Sequence, residues 1–365
     1  MSGELQRTPL HARHREAGAR MMPFAGFEMP VSYSSIVAEH RAVRASAGIF
    51  DVSHMGEIRL RGAAADELAQ RLFSNDVSKM EPRRVRYGLL CLPDGGVVDD
   101  VTLYRVSDSE LFFCVNASNI AGDLAWMREV RDESGLDCEL IDESSGTALL
   151  AVQGPAARAI VASLRPADVD APRRWRFVAG EVADVEVQLS RTGISGEDGY
   201  EIYAPAERAA ELWDRLIEAG AGRLAPAGLG ARDTLRTEMG FPLYGHELDR
   251  RTTPLEAGLE RFLALDREFV GREALAAQAE SGPDRRLVGL LMEGRAVARE
   301  GYPIHTSAGT GRVTSGTFGP SIKRSIALGY VPAEESASGT RVEVEVRGRR
   351  VAGQVTGIPF YRRKS

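Results

Sequence analysis

The sequence predicts an α+β protein that ends in an antiparallel β domain. Its 365 residues exceed one ordinary core of roughly 100–200 residues, so more than one domain is needed. Helical and strand-like patterns alternate irregularly over residues 34–164. Towards the C-terminus, helical patterns become scarce and short strands separated by Gly and Ser turns replace them. We therefore predict two regions, residues 1–280 and 281–365.

The first part of the chain contains two clear helical patterns and two strand patterns. Helices are predicted over residues 36–48 and 119–135, where apolar residues recur at helical spacing and glycine lies near each end. Strands are predicted over residues 87–93 and 110–118, which are rich in aromatic and aliphatic residues.

A second set of elements follows. Strands are predicted over residues 182–193 and 199–205, and a helix over residues 207–220. The apolar residues of this helix share one face, which predicts that Trp213 is a core residue.

The best candidate for a boundary is the polar stretch 276–287, which contains Gly282 and Pro283. The segments after it predict a small β-barrel or sandwich. The clearest strand patterns of this region are residues 286–294, 325–332 and 340–357.

Composition excludes several classes of function. The net charge of −6 and the pI near 5.7 provide no overall cationic field, so neither nucleic acid nor an anionic membrane is an expected partner. Cys91, Cys114 and Cys138 form no CxxC pair and have no histidine placed to complete a metal site, so we expect reduced, buried thiols and no metal. No glycine cluster matches a dinucleotide-binding or P-loop motif.

The N-terminal segment lacks the apolar stretch of a signal peptide, and no run approaches 18 consecutive apolar residues. The sequence thus predicts a cytoplasmic protein without a membrane segment. A mitochondrial matrix location would follow if a transit peptide had been removed upstream.

Two adjacent carboxylates, Asp99 and Asp100, stand at the start of an apolar strand pattern. Successive side chains of a strand point to opposite faces, so only one acid can face a given site. Asp100, Thr102 and Tyr104 would share a face. The alternative is a pair of acids that caps a hairpin turn, since Asp after Gly is common in turns.

Other charged residues have ordinary interpretations when each is taken alone. Glu201 lies near Glu197 and Asp198, as solvated loop acids would, and Arg232 belongs to a helical pattern rich in charge, as on a solvated helix face.

A series of long motifs favours functional roles for these residues instead. The motifs and their order resemble those of the aminomethyltransferase family, the T-proteins of the glycine cleavage system. The resemblance runs from about residue 8 to residue 361. The motifs are FDVSHMGEIRLRG, NDVSKM, GGVVDD, AVQGP, GEDGYEIY, GLGARDTLRTEMGFPLYGHELD, FVGREAL and TSGTFGPSIKRSIALGYV.

This resemblance implies a three-domain cloverleaf: two interleaved α+β domains and a C-terminal antiparallel β-barrel around a central folate-binding opening. It also implies a reaction. The aminomethyl group on the dihydrolipoyl arm of H-protein passes to tetrahydrofolate, giving 5,10-methylenetetrahydrofolate and ammonia without a metal. H-protein and tetrahydrofolate are the implied partners.

The resemblance also implies site residues. It makes Asp100 the functional acid and Asp99 its structural neighbour, and it places Glu201 on the pterin. Arg363 matches the family better than Arg362 as a C-terminal cofactor contact. The residues implied around the folate are Met55, Tyr87, Tyr104, Asn116, Glu201, Arg232 and Arg363.

These assignments are chemically reasonable. The pterin edge presents paired donors that the two oxygens of Glu201 can accept, and the anionic glutamyl tail suits a guanidinium such as Arg363. Positive charge develops as ammonia leaves, and an ionised Asp100 would stabilise it.

The chain departs from the family pattern at two positions that line the folate in relatives: Ile194 replaces a usual tyrosine and Arg261 a usual tryptophan. Two alternatives stay open. One is a tetrahydrofolate-dependent demethylase of the same fold, against which the retained acid pair argues. The other is a non-catalytic folate-binding relative, against which the missing cysteine of its Cys-Tyr-x-Gly-Gln-Glu signature argues.

The N-terminal segment carries Arg7, Arg13, Arg15 and Arg20 against the single acid Glu16. A solvated terminal segment is the simplest interpretation. Because H-protein is typically acidic, the alternative is a docking surface formed by exposed charges, which would speed encounter without slowing release.

Overall fold

The structure is a computed structural model that describes residues 4–166 and 171–363. The described residues form two compact units. The first unit is drawn from Met1–Asp66, Met80–Arg86 and Thr102–Asp233, and the second from Glu67–Lys79, Tyr87–Val101 and Thr234–Ser365.

Eight α-helices lie in the described ranges, and none of them is both long and apolar enough to cross a membrane. They are α1 (His11–Glu16), α2 (Ile36–Ala45), α3 (Ala65–Leu72), α4 (Ile120–Ser134), α5 (Ala157–Ala162), α6 (Ala209–Gly220), α7 (Leu229–Glu238) and α8 (Arg272–Ser281).

The strands of the described ranges form three open sheets and one barrel. In chain order they are β1 (Arg20–Phe24), β2 (Phe27–Ser32), β3 (Ala47–Asp51), β4 (Gly56–Arg61), β5 (Val85–Cys91), β6 (Val97–Arg105), β7 (Glu110–Val115), β8 (Glu139–Asp142), β9 (Thr147–Gln153), β10 (Phe177–Val182), β11 (Val185–Ser190), β12 (Gly199–Pro205), β13 (Leu224–Pro226), β14 (Arg285–Met292), β15 (Pro303–His305), β16 (Thr310–Gly319), β17 (Arg324–Pro332), β18 (Arg341–Val346) and β19 (Arg349–Thr356).

The first unit is built on a six-stranded sheet of order β10-β11-β12-β9-β3-β13, in which only the β13–β3 pair is parallel. One face of this sheet packs against α5 and α6. Alternate residues of β11, Val185, Val187 and Leu189, enter this core, and so does Trp213 of α6, as predicted. The residues on the opposite face of the sheet, such as Gln188, do not belong to this core.

A five-stranded sheet has the order β5-β6-β7-β4-β8, and the small hairpin β1-β2 stands apart from it. The division into units falls within β5 and β6. Residues 102–105 of β6 belong to the first unit, where they pair with β7.

The last six strands form a closed barrel of order β14-β17-β16-β15-β18-β19, which β14 closes by pairing with both β17 and β19. This confirms the predicted mixed α and β structure with an antiparallel β-barrel at the C-terminus. Of the two forms that the strand pattern allowed, it is the barrel and not the sandwich. The domain boundary at residues 280/281 stays a prediction.

Several predicted elements are confirmed with small shifts. The helix predicted over 119–135 is α4, and Gly135 ends it in a left-handed conformation with φ of 65°. The strand predicted over 199–205 is β12. Cys91, Cys114 and Cys138 are buried free thiols, also as predicted.

Two predicted element bounds were wrong, and the stretch named as a candidate boundary overlaps a helix. Helix 36–48 ends at Ala45, because Ala47 already pairs with β13 as the start of β3. The segment 182–193, predicted as one strand, contains the end of β10, a turn at Ala183 and Asp184 with φ of 53° and 61°, and then β11. The polar stretch from 276 begins inside α8, which continues to Ser281.

One buried carboxylate holds several elements of the first unit together. Glu39 of α2 is only 2% exposed. One of its oxygens accepts hydrogen bonds from the backbone N–H groups of Tyr33 and Ser34, both at 2.7 Å. The other accepts from the N–H of Gly228 at 2.9 Å, just before α7 begins. Glu39 therefore positions α7, the helix that carries Arg232.

We expect Glu39→Gln to lower the free energy of unfolding by about 2–3 kcal/mol. The substitution replaces one carboxylate oxygen with an NH2 group, which cannot accept a hydrogen bond, so a buried backbone N–H loses its acceptor. Urea denaturation measures the change. Glu218→Gln on the exposed face of α6 is the matched control and should change stability by less than about 0.5 kcal/mol. Equal stability of the two variants would contradict the structural role of Glu39.

Candidate functional site

The turn that follows β5 shows whether the two adjacent acids, Asp99 and Asp100, cap a hairpin turn. The turn is capped by Asp94, whose Oδ1 accepts a hydrogen bond from the N–H of Gly96 at 3.0 Å. Asp99 and Asp100 lie inside β6 instead. Asp99 is fully buried and Asp100 is partly exposed, as the alternation of a strand requires. The interpretation of the pair as a turn cap is therefore wrong.

Asp100 and Tyr87 form a hydrogen-bonded pair within the second unit. The phenol oxygen of Tyr87 donates to Oδ2 of Asp100 at 3.2 Å. Burial raises the pKa of Tyr87 well above its ordinary value, and the nearby charge of Asp100 raises it further. Tyr87 therefore remains a neutral donor, and Asp100 is an acceptor held in place on a partly exposed strand face.

An aromatic surface accompanies this pair. The ring of Phe262 meets that of Tyr87 edge to face, with 4.7 Å between centroids. The guanidinium of Arg261 lies over the ring of Phe262, 4.6 Å from its centroid. Arg261 is one of the two departures from the family pattern, and here it stacks on an aromatic neighbour that the sequence analysis did not single out.

In the first unit, Tyr104 lies within an aromatic cluster. It is fully buried, stacks on Phe112 with 4.3 Å between centroids, and accepts a hydrogen bond from the hydroxyl of Tyr203 at 2.9 Å. Phe177 meets its ring edge to face. Tyr203 was not predicted as a site residue, although its position two residues after Glu201 on a strand places it on the same face.

Glu201 and Arg232 are brought together in the first unit. Glu201 accepts a short hydrogen bond from the hydroxyl of Thr192. Burial lowers the pKa of Arg232, while the charge of Glu201 acts in the opposite direction. Cys114 is close to both, and burial raises the pKa of its thiol well above the ordinary value. This carboxylate and guanidinium are both partly exposed, so they could bind a polar, planar ligand.

Met55 and Asn116 lie at the same end of the first unit's β4–β7 ladder. Met55 is in the turn before β4, and Asn116 directly follows β7. Their neighbours Gly56 and Val115 are paired across the two strands. Both side chains are partly exposed, so they could contact a ligand at this edge.

Arg363 is exposed in the tail of the second unit. The last described anchor of the tail is Tyr361, whose N–H donates to the carbonyl of Glu238 at 3.0 Å. Among the hydrogen bonds and ion pairs of the described second-unit residues, none joins Arg363 to Tyr87 or Asp100.

The N-terminal arginines are less available than the sequence suggested. Arg13 of α1 makes two hydrogen bonds to Oδ2 of Asp214, at 3.1 and 2.8 Å, and one to Glu16 at 3.1 Å. Arg15 approaches Glu28 at 3.4 Å. Nearby carboxylates therefore neutralise part of the predicted cationic surface.

His54, next to Met55, is a buried neutral histidine. It is 3% exposed, and its Nδ1 has no hydrogen-bond partner among the described residues. Burial lowers its pKa to about 4, the charge of Arg232 lowers it too, and that of Asp51 acts in the opposite direction. Phe24 meets its ring edge to face at 5.5 Å.

Residues 10–267 match the family of the GCVT N-terminal domain, and residues 285–362 match the glycine cleavage T-protein C-terminal barrel domain. The two matches cover most of the chain.

Individual relatives agree with these family matches. Aminomethyltransferases of Symbiobacterium thermophilum and Moorella thermoacetica are each 48% identical to this chain, and each alignment covers 99% of both proteins. The crystal structure of glycine cleavage system aminomethyltransferase T from Bartonella henselae is 33% identical, with a TM-score of 0.92 over 99% of each chain.

The fold and these relationships define a one-carbon transferase of mixed α and β structure with a C-terminal barrel. The chain belongs to the aminomethyltransferase family, the T-proteins of the glycine cleavage system. The resemblance inferred from the sequence motifs is thereby confirmed, and the chain is an enzyme.

The low pKa of His54 predicts a pH dependence of stability. Between its ordinary pKa of 6.5 and its folded pKa of about 4, the unfolded state binds more protons, so stability falls as the pH falls. From about pH 7 to about pH 5 the wild type should lose about 2 kcal/mol more free energy of unfolding than His54→Gln. Denaturant unfolding at both pH values measures this difference, and parallel losses would contradict it.

Proposed function

We propose that this enzyme transfers the aminomethyl carbon from the dihydrolipoyl arm of H-protein to tetrahydrofolate, giving 5,10-methylenetetrahydrofolate and ammonia. The observation that carries the proposal is the hydrogen-bonded pair of Tyr87 and Asp100 on a partly exposed strand. Membership of the family supplies the reaction, and the pair supplies the acid that the reaction needs.

The reaction exchanges the bonds of one carbon atom. Its bonds to the lipoyl sulfur and to the amino nitrogen break, and bonds to N5 and N10 of the folate form. The two hydrogens of the folate nitrogens end on the departing ammonia and the regenerated thiol. In this proposal Asp100 stabilises the positive charge that develops on the carbon and nitrogen atoms, and serves as a proton acceptor.

Tyr87 would position Asp100 for this role. Its phenol is neutral because burial raises its pKa, so its O–H is available as a donor and its bond to Asp100 fixes the carboxylate. The carboxylate would then be held in a fixed orientation for the substrate.

Glu201 and Arg232 would bind the pterin. The carboxylate of Glu201 accepts from Thr192 with one oxygen, which orients the group for the donors of the pterin edge. Arg232 contributes positive charge from a partly exposed side chain, which would suit the acceptor atoms of the same ring.

The remaining predicted contacts are proposed with smaller roles. Tyr104 would support the site from within its aromatic cluster, since it is fully buried. Met55 and Asn116 would contact the folate at the edge of the β4–β7 ladder. Arg363, which is exposed, would meet the anionic glutamyl tail.

Asp100→Asn should raise the barrier for transfer by about 2–4 kcal/mol, because it removes a charge placed to stabilise the transition state. The assay is the release of ammonia from aminomethyl-loaded H-protein, measured with and without tetrahydrofolate. Release that does not depend on tetrahydrofolate would contradict the proposed function itself.

Asp99→Asn is the matched control, since it changes the same charge one residue away on the buried face of the strand. It should lose much less activity per folded molecule, with folding followed by circular dichroism. Equal losses in the two variants would show that Asp100 has no special role. Turnover of a methyl donor in place of the loaded H-protein would favour the demethylase alternative.

Glu201→Gln should weaken tetrahydrofolate binding by roughly 1.5–3 kcal/mol, because a donor replaces one of the oxygens that accept from the pterin. Calorimetric titration measures the affinity. Glu139→Gln, an exposed change on β8, serves as the control. Unchanged affinity in Glu201→Gln would mean that another residue recognises the pterin.

A further inference from the structure

Arg261 is an exposed arginine close to the pair of Tyr87 and Asp100, and the reaction proposed above gives it no role. Two successive contacts within the second unit connect it to the pair. Its guanidinium lies 4.6 Å from the ring centroid of Phe262, and that ring lies 4.7 Å from the ring centroid of Tyr87. A guanidinium that stacks on a ring still has N–H donors at its edge, where a ligand can accept from them.

The charge of Arg261 is not neutralised by a neighbouring acid. Its side chain forms no ion pair or side-chain hydrogen bond with any other residue that the structure describes, and the adjacent carboxylate of Glu260 approaches Arg286 instead, at 3.7 Å. An exposed arginine without an ion pair is ordinary by itself. Arg261 differs from such residues because stacking holds it beside a site that already has a proposed substrate.

The segment that carries Arg261 and Phe262 is fixed to β5, the strand that carries Tyr87. Ser74, which is fully buried, makes this connection. Its hydroxyl donates to the carbonyl of Phe262 at 2.9 Å and accepts from the N–H of Leu89, two residues after Tyr87, at 3.0 Å. The backbone next to Arg261 is therefore held in a defined position relative to Tyr87.

The positive charge of Arg261 acts on the proposed reaction site. Burial is the main cause that raises the pKa of Tyr87, and the charge of Arg261 acts in the opposite direction. The proposed transition state itself carries positive charge, which a nearby guanidinium would destabilise. Arg261 is therefore suited to bind an anionic part of a substrate and not to assist the chemical step.

Tetrahydrofolate has its anionic groups at the end that this arrangement suits. With N5 and N10 at Asp100, the benzoyl group bonded to N10 leads away from the acid, and the glutamate with its two carboxylates follows. The residues lead away from Asp100 in a matching order, since the phenol of Tyr87 is followed by the ring of Phe262 and then by the guanidinium of Arg261. A carboxylate accepts well from the paired donors of a guanidinium.

We propose that Arg261 is a specificity-determining residue that binds a carboxylate of the glutamyl tail, so that the enzyme discriminates tetrahydrofolate from analogues that lack the glutamate. This inference rests on the proposed function, because it takes tetrahydrofolate as the substrate. The glutamate has two carboxylates, so Arg363, proposed above for the same tail, would pair with the other one. The arginine at position 261 would thus add a charge, while Phe262 keeps an aromatic surface at the site.

The test is calorimetric titration of the full chain with tetrahydrofolate and with tetrahydropteroate, which lacks the glutamate. The wild type should bind tetrahydrofolate at least about tenfold more tightly. Arg261→Gln should lose roughly tenfold in affinity for tetrahydrofolate but less than about twofold for tetrahydropteroate, since it removes a charged hydrogen bond to the tail alone. Arg261→Lys, which keeps the charge, should retain most of the preference. In the ammonia-release assay, Arg261→Gln should raise the KM for tetrahydrofolate with little change in kcat.

Arg349→Gln is the matched control, because it removes the same charge from an exposed position on β19 of the barrel and should bind both ligands like the wild type. Equal losses for the two ligands in Arg261→Gln, or no loss for either, would overturn the inference. Equal affinity of the wild type for the two ligands would overturn it as well, while ammonia release that depends on tetrahydrofolate would leave the proposed function intact. Binding of neither ligand by the wild type would contradict both.

Discussion

The hydrogen bonds of the Glu39 carboxylate are the constraint on which much of the first unit depends. They join the end of β2, the helix α2 and the start of α7 in a single buried group. The fit is close, because a Cβ on Gly228 would lie 2.4 Å from the carbonyl carbon of Val31. The position of Arg232 near Glu201 follows from this anchor, which lies far from it in sequence.

Strand alternation divides the chemistry of the first unit between the two faces of its large sheet. Residues of β11 at odd positions enter the apolar core with α5 and α6, whereas Gln188 lies on the opposite face. Glu201 and Tyr203 share that second face, because they are paired with Ser190 and Gln188 of β11. One face therefore supplies stability and the other supplies polar groups, within the same few strands.

The sequence allowed the fold class, the C-terminal barrel region and most elements to be predicted, since α4, β12 and the core position of Trp213 follow from local periodicity. The errors arose where tertiary pairing overrides a local pattern, as at Ala47. The hydrogen bond between Tyr87 and Asp100 joins the two strands of one hairpin, so these residues are also close in sequence. The buried carboxyl group of Glu57, which has no hydrogen-bond partner among the described residues, could not be predicted, because such an acid cannot be distinguished in the sequence from a solvated one.

The buried thiol of Cys114 has a chemical consequence for an enzyme that handles an activated one-carbon unit. Such a carbon is an electrophile, and a thiolate nearby would trap it as a sulfur adduct. Burial raises the pKa of Cys114 well above its ordinary value, so the sulfur remains a protonated and poorly nucleophilic group. The sulfur atom close to Glu201 is therefore kept in the form that reacts most slowly with an electrophilic carbon.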